Sequence, residues 1–502
     1  MSERMNVLFI ITDQQRADHL GCYGNPILNT PNIDKIADEG VRFTNAYCAN
    51  PMCMPNRATL LTGLFPNAHG VRSNGINLPE DIPTIAETLR ERGWYTKSIG
   101  KTHYQFNFPP YKRSSESAEL ISEWIRPKTV EKKKKRFESP YYGFEDVEIT
   151  LGHGDLVAGH YLDWLEERSP KHALEIKKRF TKFFDNLMYE TSLPIELYPT
   201  TYVKERTINF FEKYKKGDFE DKPFFLHCSF PDPHHPVCPP GNYYDMFDQD
   251  KIELPESFDD AENLYDHHFL GRYLKDPIFR GALLRESSEE DAKKFLALTY
   301  GSISMIDHSV GEILASLSKL GLEDNTMVIY TSDHGDLAGD HGLLLKGPSP
   351  YKGILNVPLI WKVPEITEKG ISDSLISSVD IPKTILELLN IKERHQPPDM
   401  QGYDMTPILQ NPNETVRDCC LIEEDEEVTN IQIRLRHLIT DKYKLTVYEG
   451  FDKGDLYDLE ADPNELNNLW DTQKEIRKEL VYKLLQENLK VQARYPKRES
   501  LT

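Results

Sequence analysis

Short apolar runs alternate with amphipathic stretches along most of this chain. Five runs have the length and composition of buried strands: Val7–Thr12, Tyr95–Ile99, Phe224–Phe230, Met327–Thr331 and Pro358–Val363. Apolar residues at helical spacing predict helices between them: Asn32–Glu39, Pro83–Arg92, Leu296–Leu320 and Ile381–Leu389. This alternation is typical of parallel sheets covered by helices. We therefore predict an α/β fold whose large sheet is mixed but mostly parallel and is sandwiched by helices.

Two regions depart from this pattern. Residues from about 106 to 220 show no clear strand order, and we interpret them as an insertion that folds over the sheet and lines the entrance to a site. The pattern changes again after residue 415, where an acidic run precedes two alternating stretches and one helical stretch: Glu423–Glu427, Ile431–Ile439, Tyr443–Tyr448 and Thr472–Val491. We predict a large α/β domain of residues 1–415 and a small α+β domain of residues 416–502 with an antiparallel sheet.

Composition and charge narrow the function classes. The 502 residues are 39% hydrophobic and 28% charged, which excludes a disordered chain. Because 81 acidic residues outweigh 60 basic ones, the net charge is -21 and we expect no nucleic-acid partner. No run of 18 apolar residues occurs, so we expect no membrane span. The apolar stretch Val7–Ile11 is too short for a signal peptide, and seven cysteines argue against a disulfide framework. We therefore expect a cytoplasmic location.

Polar pairs follow two of the predicted strands. Asp13 and Gln14 come directly after the first strand, and Asp333 and His334 follow the fourth. In open α/β sheets, ligands bind beyond the carboxyl ends of the strands. Carboxylate and amide oxygens suit a hard divalent cation, so the two pairs together predict a metal site. Two capped turns with no metal remain an equally good interpretation of these residues.

A cysteine and an arginine lie at the start of a further predicted helix. In the segment Cys53-Met54-Pro55-Asn56-Arg57, Pro55 suits the first turn of a helix. Cys53 would then occupy the anion-binding N-terminus, where the pKa of its thiol is lowered. Arg57 lies four residues on and can reach the same anion. The alternative is a structural cysteine, buried at a helix start, with an exposed arginine.

These segments resemble the type I, formylglycine-dependent sulfatases of the alkaline phosphatase superfamily, and the arylsulfatases in particular. The pattern C-x-P-x-R followed by ATLLTG resembles the signature of that family. The blocks NVLFIITDQQRADHLGCYG, TPNIDKIADEGVRFTNAYC, GKTHY, DPHHP, SDHGDLAGDHGLLLKG and LYDLEADPNELNNL resemble its other motifs, in the same order. The resemblance covers most of the chain and is weakest over residues 106–220.

The resemblance implies a nucleophile and a metal. Cys53 matches the cysteine that a formylglycine-generating enzyme oxidises to formylglycine, whose hydrated form attacks the sulfur of a sulfate ester. Asp13, Gln14, Asp333 and His334 match the ligands of one divalent metal ion, which the oxygen derived from Cys53 would also bind. Calcium is the expected ion, with manganese or magnesium as alternatives.

The resemblance also implies roles for residues around the nucleophile. Arg57 would orient the formylglycine, while Lys101 and His103 would contact it and the substrate. His234 would protonate or stabilise the leaving oxygen, with His235 as its alternative, and Lys346 would bind a sulfate oxygen. Three further residues match more weakly: Asn74 as an additional donor, and Asp340 and His341 as residues outside the ligand shell.

Three functions remain open from the sequence. The first is hydrolysis of a small anionic sulfate ester, whose alcohol is undetermined, although NAYCANPMCMP resembles the choline-sulfatases. The second is hydrolysis of a phosphonate monoester or phosphodiester, because the Asp-Gln and Asp-His pairs also resemble the ligands of those hydrolases. Lys101 and His103 favour the sulfatase, since the phosphonate hydrolases are expected to have Tyr and Thr there. The third is a non-catalytic anion-binding protein in which Cys53 stays a thiol. A homo-oligomer is also left open.

Overall fold

The computed structural model describes most of the chain. The described residues are 5–109, 116–126, 138–180, 186–220, 222–276, 284–428 and 431–492.

A nine-stranded sheet forms the centre of the described structure. Its strands, in spatial order, are β12 (Gly370–Ser372), β2 (Val41–Phe43), β11 (Leu359–Lys362), β9 (Thr326–Ser332), β1 (Asn6–Asp13), β7 (Phe224–Pro233), β4 (Tyr95–Gly100), β5 (Asp146–His153) and β6 (Leu156–Gly159). The five neighbouring strands from β9 to β5 all run parallel, whereas β11 and β6 run antiparallel to the strands beside them. This mixed, mostly parallel sheet confirms the predicted fold class.

Strand β1 lies in the middle of this sheet. Val7 faces Phe225 of β7 on one side and Met327 of β9 on the other. Every residue of β1 is buried, which explains why its sequence is an uninterrupted apolar run without alternation. The polar residue Asp13 can end such a strand because the carboxyl end leaves the apolar core.

Helices cover the sheet in two groups. Helix α10 (Glu289–Lys319) packs against α1 (Pro31–Glu39) and α8 (Pro199–Lys215), and helix α2 (Cys53–Thr62) packs against α4 (Ile85–Glu91) and α11 (Asp380–Leu388). The helices are α1 (Pro31–Glu39), α2 (Cys53–Thr62), α3 (Pro66–His69), α4 (Ile85–Glu91), α5 (Ile121–Ile125), α6 (His160–Arg168), α7 (Pro170–Arg179), α8 (Pro199–Lys215), α9 (Leu270–Tyr273), α10 (Glu289–Lys319), α11 (Asp380–Leu388), α12 (Thr406–Gln410) and α13 (Lys474–Val491). Helix α10 begins seven residues before its predicted start. Ser288 caps it there, and the prediction missed its first turn because that turn is acidic and lacks apolar residues at helical spacing.

The expected insertion contains strands that the sequence did not reveal. Residues 146–159 form β5 and β6, which extend the edge of the main sheet beside β4. Helices α6, α7 and α8 follow. Part of this region (residues 110–115, 127–137, 181–185 and 221) lies outside the described residues. The described part therefore adds an edge to the sheet.

A second, four-stranded antiparallel sheet lies near the C-terminus, as predicted. Its strands are β14 (Cys420–Val428), β15 (Ile431–Ile439), β16 (Tyr443–Tyr448) and β17 (Asp455–Asp458), in that order. Helix α13 packs against this sheet. The acidic run Glu423–Glu427 was expected to precede the strands, but it forms the middle of β14. Its side chains pair with groups outside their own strand, such as Asp425 with Arg436 at 2.6 Å and Glu423 with the amide of Asn67 at 2.9 Å.

Two short sheets complete the described strands. They pair β8 (Arg285–Glu286) with β10 (Leu343–Leu344), and β3 (Ala46–Tyr47) with β13 (Ile376–Ser377). Within the described ranges, no helix combines the length and the apolar character that crossing a membrane requires.

We expect Gly100 to be required where β4 ends. Its φ is +101°, and a Cβ atom there would lie 1.7 Å from the carbonyl oxygen of Ser229. Gly100→Ala should therefore lower the free energy of unfolding by about 3 kcal/mol or more. Gly24 is the matched control, because its φ is +92° and its Cβ would meet nothing within 4 Å. Gly24→Ala should cost about 1–2 kcal/mol. Equal losses in urea denaturation would contradict this explanation.

Candidate active site

Five neighbouring parallel strands end at one edge of the main sheet and bring polar side chains together. In spatial order the residues are Asp333 and His334 after β9, Asp13 and Gln14 at the end of β1, His234 after β7, Lys101 and His103 after β4, and His153 at the end of β5. The cluster forms because parallel strands place all their carboxyl ends on the same side. Two residues come from elsewhere: Cys53 begins α2, and Lys346 lies in the loop after β10.

Four of these residues form a group that can hold a metal ion. Ligand atoms of Asp13, Cys53, Asp333 and His334 lie within 4.8 Å of one another, and all four residues are buried. His334 donates from Nδ1 to the carbonyl oxygen of Gly335 at 2.9 Å, because a carbonyl can only accept. That hydrogen bond leaves Nε2 of His334 as a ligand atom facing the group, as is usual for metal-binding histidines.

Gln14 lies next to this group, because its backbone N–H donates to Asp333 Oδ1 at 3.0 Å. Its Nε2 donates to the carboxylate of Asp336 and, at 3.1 Å, to Nδ1 of His235. These bonds fix the orientation of the amide, and its Oε1 is buried without a hydrogen-bond partner. An unpartnered buried oxygen beside two carboxylates and an imidazole fits a divalent cation. These residues are therefore candidate ligands of a divalent cation.

Strained backbone marks the same place. Gln14, His103 and Leu345 have φ values of 65°, 56° and 73°, in the left-handed region that residues other than glycine rarely adopt. Each lies in the cluster or directly next to a member of it. Strain of this kind persists only where surrounding contacts enforce it, and it is common at functional sites.

Helix α2 holds Cys53 and Arg57 against the strand ends. Asn74 accepts a hydrogen bond from the backbone N–H of Met54 at 3.0 Å, so it caps this helix from a neighbouring loop. Arg57 is buried and donates from Nε to Asp333 Oδ2 at 2.7 Å. Its Nη1 donates to the carbonyl oxygen of Lys101 and to Ser229. The alternative of an exposed arginine is therefore wrong.

The thiol of Cys53 lies among positively charged groups. Lys346 Nζ is 2.8 Å from Cys53 Sγ, and His334 Nε2 is 3.2 Å from it. Burial alone would raise the pKa of this thiol, but the charges of Lys101 and Lys346 outweigh burial and place that pKa well below its usual range. The position therefore favours a negatively charged atom, in agreement with the prediction from the sequence.

The predicted residues on β4 and β7 also reach this position. Lys101 forms an ion pair with Asp13, and the imidazole of His103 lies near enough to Cys53 to interact with its thiol. Burial lowers the pKa of His103 to about 4, so its imidazole is neutral. His234 donates from Nδ1 to the carbonyl oxygen of its neighbour His235 at 2.6 Å, and its Nε2 lies 3.1 Å from Lys346 Nζ.

Three weaker candidates occupy other places. His235 contacts Gln14 and is not a member of the ligand group of Asp13, Cys53, Asp333 and His334. Asp340 pairs with Arg16 at 2.6 Å, and His341 pairs with Asp260 at 2.8 Å. Asp340 and His341 thus lie outside the ligand group, as expected.

Two site residues were missed from the sequence. His153 lies 2.7 Å from Lys101 Nζ and belongs to a second group of converging atoms with Asp13, Cys53 and His234. Asp336 fixes the amide of Gln14. His153 follows the alternating stretch DVEITLG, and that alternation was the available signal for a strand ending in a polar residue.

Comparison with known proteins assigns a family to this arrangement. The family model described as Sulfatase matches residues 5–146 and 153–391, and that of the C-terminal part of N-sulphoglucosamine sulphohydrolase matches residues 339–493. The chain is 30% identical to an arylsulfatase of Clostridium perfringens, over 92% of this chain and 90% of that protein. It is 26% identical to an N-acetylglucosamine-6-O-sulfatase of Bacteroides thetaiotaomicron, over 93% of this chain and 83% of that protein.

A solved structure shares the fold. The phosphonate monoester hydrolase of Agrobacterium radiobacter superimposes with a TM-score of 0.79 and 24% identity, covering 99% of this chain and 98% of that chain. At this identity, the likeness concerns the fold alone.

We expect a divalent cation to stabilise the protein after it has been stripped with EDTA. An ion that binds only the folded state adds about 2.7 kcal/mol at 100 times its Kd, which raises the thermal midpoint. Asp333→Asn should abolish this rise, because it removes a charged ligand. Asp340 is the matched control, because it begins a second Asp-His-Gly sequence and pairs with Arg16 outside the ligand group. Asp340→Asn should therefore keep the rise. Scanning fluorimetry with Ca²⁺, Mn²⁺ and Mg²⁺ measures it. A rise that survives in Asp333→Asn would contradict the site.

Proposed function

Because the chain belongs to the sulfatase family, we propose that it is a sulfuric ester hydrolase that cleaves a sulfate monoester to an alcohol and inorganic sulfate, with Cys53 as the origin of its nucleophile. The single observation that carries the assignment of Cys53 is its place between the candidate metal ligands and the buried lysines. Lys346 lies 2.8 Å from its sulfur, and Asp13 and His334 lie 3.6 and 3.2 Å from it.

The charges of the site suit a sulfate group. Among the described residues, the buried cations of Arg57, Lys101 and Lys346 lie around the Cys53 position with the carboxylates of Asp13 and Asp333, while the carboxylate of Asp336 is engaged by the amide of Gln14. This local excess of positive charge stands against a chain whose net charge is -21. In a buried site such charges interact strongly with an anion, because the surroundings screen them little. A divalent cation would increase the excess further.

Two groups would complete the site. Asp13, Gln14, Asp333 and His334 would hold the metal ion, which would withdraw charge from the sulfate oxygens and the nucleophile. Calcium suits the three oxygen ligands, and the imidazole of His334 also admits manganese or magnesium. Formylglycine, made from Cys53 by a maturation enzyme, would supply a hydrated aldehyde whose oxygen attacks sulfur.

The remaining residues orient the nucleophile and handle the proton. His103 lies beside the nucleophile position and interacts with it, and Asn74 stabilises the start of the helix that carries it. Since Nδ1 of His234 donates to a carbonyl, its Nε2 accepts the hydrogen bond from the ammonium group of Lys346. We propose that this pair delivers the proton to the leaving alcohol oxygen while Lys101 and Lys346 bind sulfate oxygens.

The seven cysteines support a reducing compartment. All of them are described, and none forms a disulfide. Disulfides are rare in the cytosol, where thiols are kept reduced. We therefore propose that the enzyme acts in the cytoplasm.

Hydrolysis of a phosphonate monoester is the second candidate. The candidate ligands Gln14 and His334 favour it, because the Asp-Gln and Asp-His pairs also resemble the ligands of those hydrolases. Lys101 and His103 favour the sulfatase, since both lie at the nucleophile and the resemblance predicts uncharged Tyr and Thr there in the phosphonate enzymes.

We expect the metal-loaded protein, co-expressed with a formylglycine-generating enzyme, to prefer 4-nitrophenyl sulfate to a matched phenyl phosphonate ester in kcat/KM. Cys53→Ala should lower kcat by at least about 10³-fold, because it removes the nucleophile. The buried Cys48 is the matched control, since it hydrogen bonds the carbonyl oxygen of Ile354, and Cys48→Ala should stay active. Mass spectrometry of the peptide containing Cys53 measures its conversion.

Two outcomes would replace this proposal. A preference for the phosphonate ester would favour the second candidate. Binding of sulfate without turnover, in protein whose Cys53 is shown to be converted, would favour a non-catalytic anion-binding protein.

A further inference from the structure

His153 reaches the site through a tight hairpin. It ends β5 and lies between Gly152 and Gly154, whose φ values are +109° and +54°. A Cβ atom on Gly154 would lie 2.4 Å from the carbonyl oxygen of Pro236, and one on Gly152 would lie 2.2 Å from that of Leu156. Gly152 therefore lets the two strands of the hairpin close on each other, and Gly154 lets the hairpin approach the segment that follows β7. The sequence Gly-His-Gly therefore places the imidazole beside His234.

The ring of His153 contacts two residues of the proposed machinery. Its centroid lies 3.6 Å from that of His234, and the two rings are nearly parallel, at 11°. Its Nε2 lies 2.7 Å from Lys101 Nζ. An ammonium group only donates hydrogen bonds, so His153 Nε2 is the acceptor. The side chain is 12% exposed, and water competes little for this bond.

Lys101 is thereby held by two partners. Its ammonium group pairs with Asp13 and with His153, whose Nε2 itself lies 3.4 Å from Asp13 Oδ2. A lysine has four rotatable side-chain bonds, and a single ion pair leaves its head free to swing about that partner. The second acceptor removes this freedom. Likewise, the stacked ring covers one face of His234 and limits its rotation.

We propose that His153 is a positioning residue for sulfate ester hydrolysis: its Nε2 fixes the ammonium group of Lys101, and its ring fixes the imidazole of His234. This inference rests on the proposed function, because it assigns His153 a role in that reaction. His153 acts through Lys101 and His234 and does no chemistry itself. Loss of such supporting contacts typically costs about 10- to 100-fold in activity at comparable sites.

Two substitutions separate the two contacts. His153→Phe keeps an aromatic ring for stacking but removes the acceptor for Lys101. His153→Gln keeps an acceptor at the end of a side chain of similar length but removes the ring. We expect His153→Phe to lower kcat for 4-nitrophenyl sulfate by about 10- to 100-fold with a smaller change in KM. His153→Gln should recover part of this loss.

A double-mutant cycle with Lys101→Met tests the mechanism. If His153 acts through Lys101, adding His153→Phe to Lys101→Met should change kcat far less than it does in the wild-type background. Full additivity of the two losses would overturn the proposal. His160→Phe is the control for loosening of β5, since Nδ1 of His160 accepts the N–H of Ile149 away from the site. An equal loss of kcat in His160→Phe would also overturn it.

The same cycle can be measured without turnover. Calorimetric titration of the metal-loaded variants with inorganic sulfate reports the affinity that Lys101 supplies. His153→Phe should weaken sulfate binding in the wild-type background and leave it unchanged in Lys101→Met. If the wild-type protein binds sulfate but hydrolyses no sulfate ester, the proposed function fails. The titration cycle then still decides whether His153 positions Lys101, because equal weakening in both backgrounds would refute it.

Discussion

The buried guanidinium of Arg57 holds the functional edge of this molecule together. It donates to Asp333 after β9, to the carbonyl oxygen of Lys101 after β4, and to Ser229 in β7. One side chain on α2 thus ties the nucleophile helix to the ends of three parallel strands. Removing one partner of a buried ion pair typically costs about 3–5 kcal/mol, because the other charge is left uncompensated. The position of Cys53 depends on this contact, since α2 begins at Cys53.

The same edge concentrates charges that destabilise one another. Among the described residues, the hydrogen-bond partners of the Lys346 ammonium group are nitrogen and sulfur atoms: those of Cys53, His234 and His334. A buried lysine usually pairs with a carboxylate, and this one does not. The negative charge that Lys346 faces is instead that of the Cys53 sulfur, whose thiol pKa it helps to lower. A bound anion at this position would interact favourably with the same ammonium group.

The sequence patterns predicted the site residues that directly follow an apolar strand, and they missed the residues whose position depends on contacts with distant segments. Asp13 and Asp333 could be predicted because each directly follows an uninterrupted apolar run, and such runs end at the edge of a parallel sheet. His153 was missed because β5 alternates at the margin of the sheet, where no apolar run fixes its place. The acids of β14 were not predicted to be buried, because their neutralising partners, such as Arg436 for Asp425, come from other segments.

Two identical tripeptides show why position in the fold decides chemistry. Asp333-His334-Gly335 and Asp340-His341-Gly342 are seven residues apart, and both contain buried histidines. The first directly follows β9, so its side chains meet those at the ends of neighbouring strands. The second follows a left-handed turn at Gly339, and its acid and imidazole pair with Arg16 and Asp260. The acid and the imidazole of the first tripeptide are therefore candidate metal ligands, whereas those of the second form structural ion pairs. The difference arises because only the first tripeptide lies where the parallel strands end together.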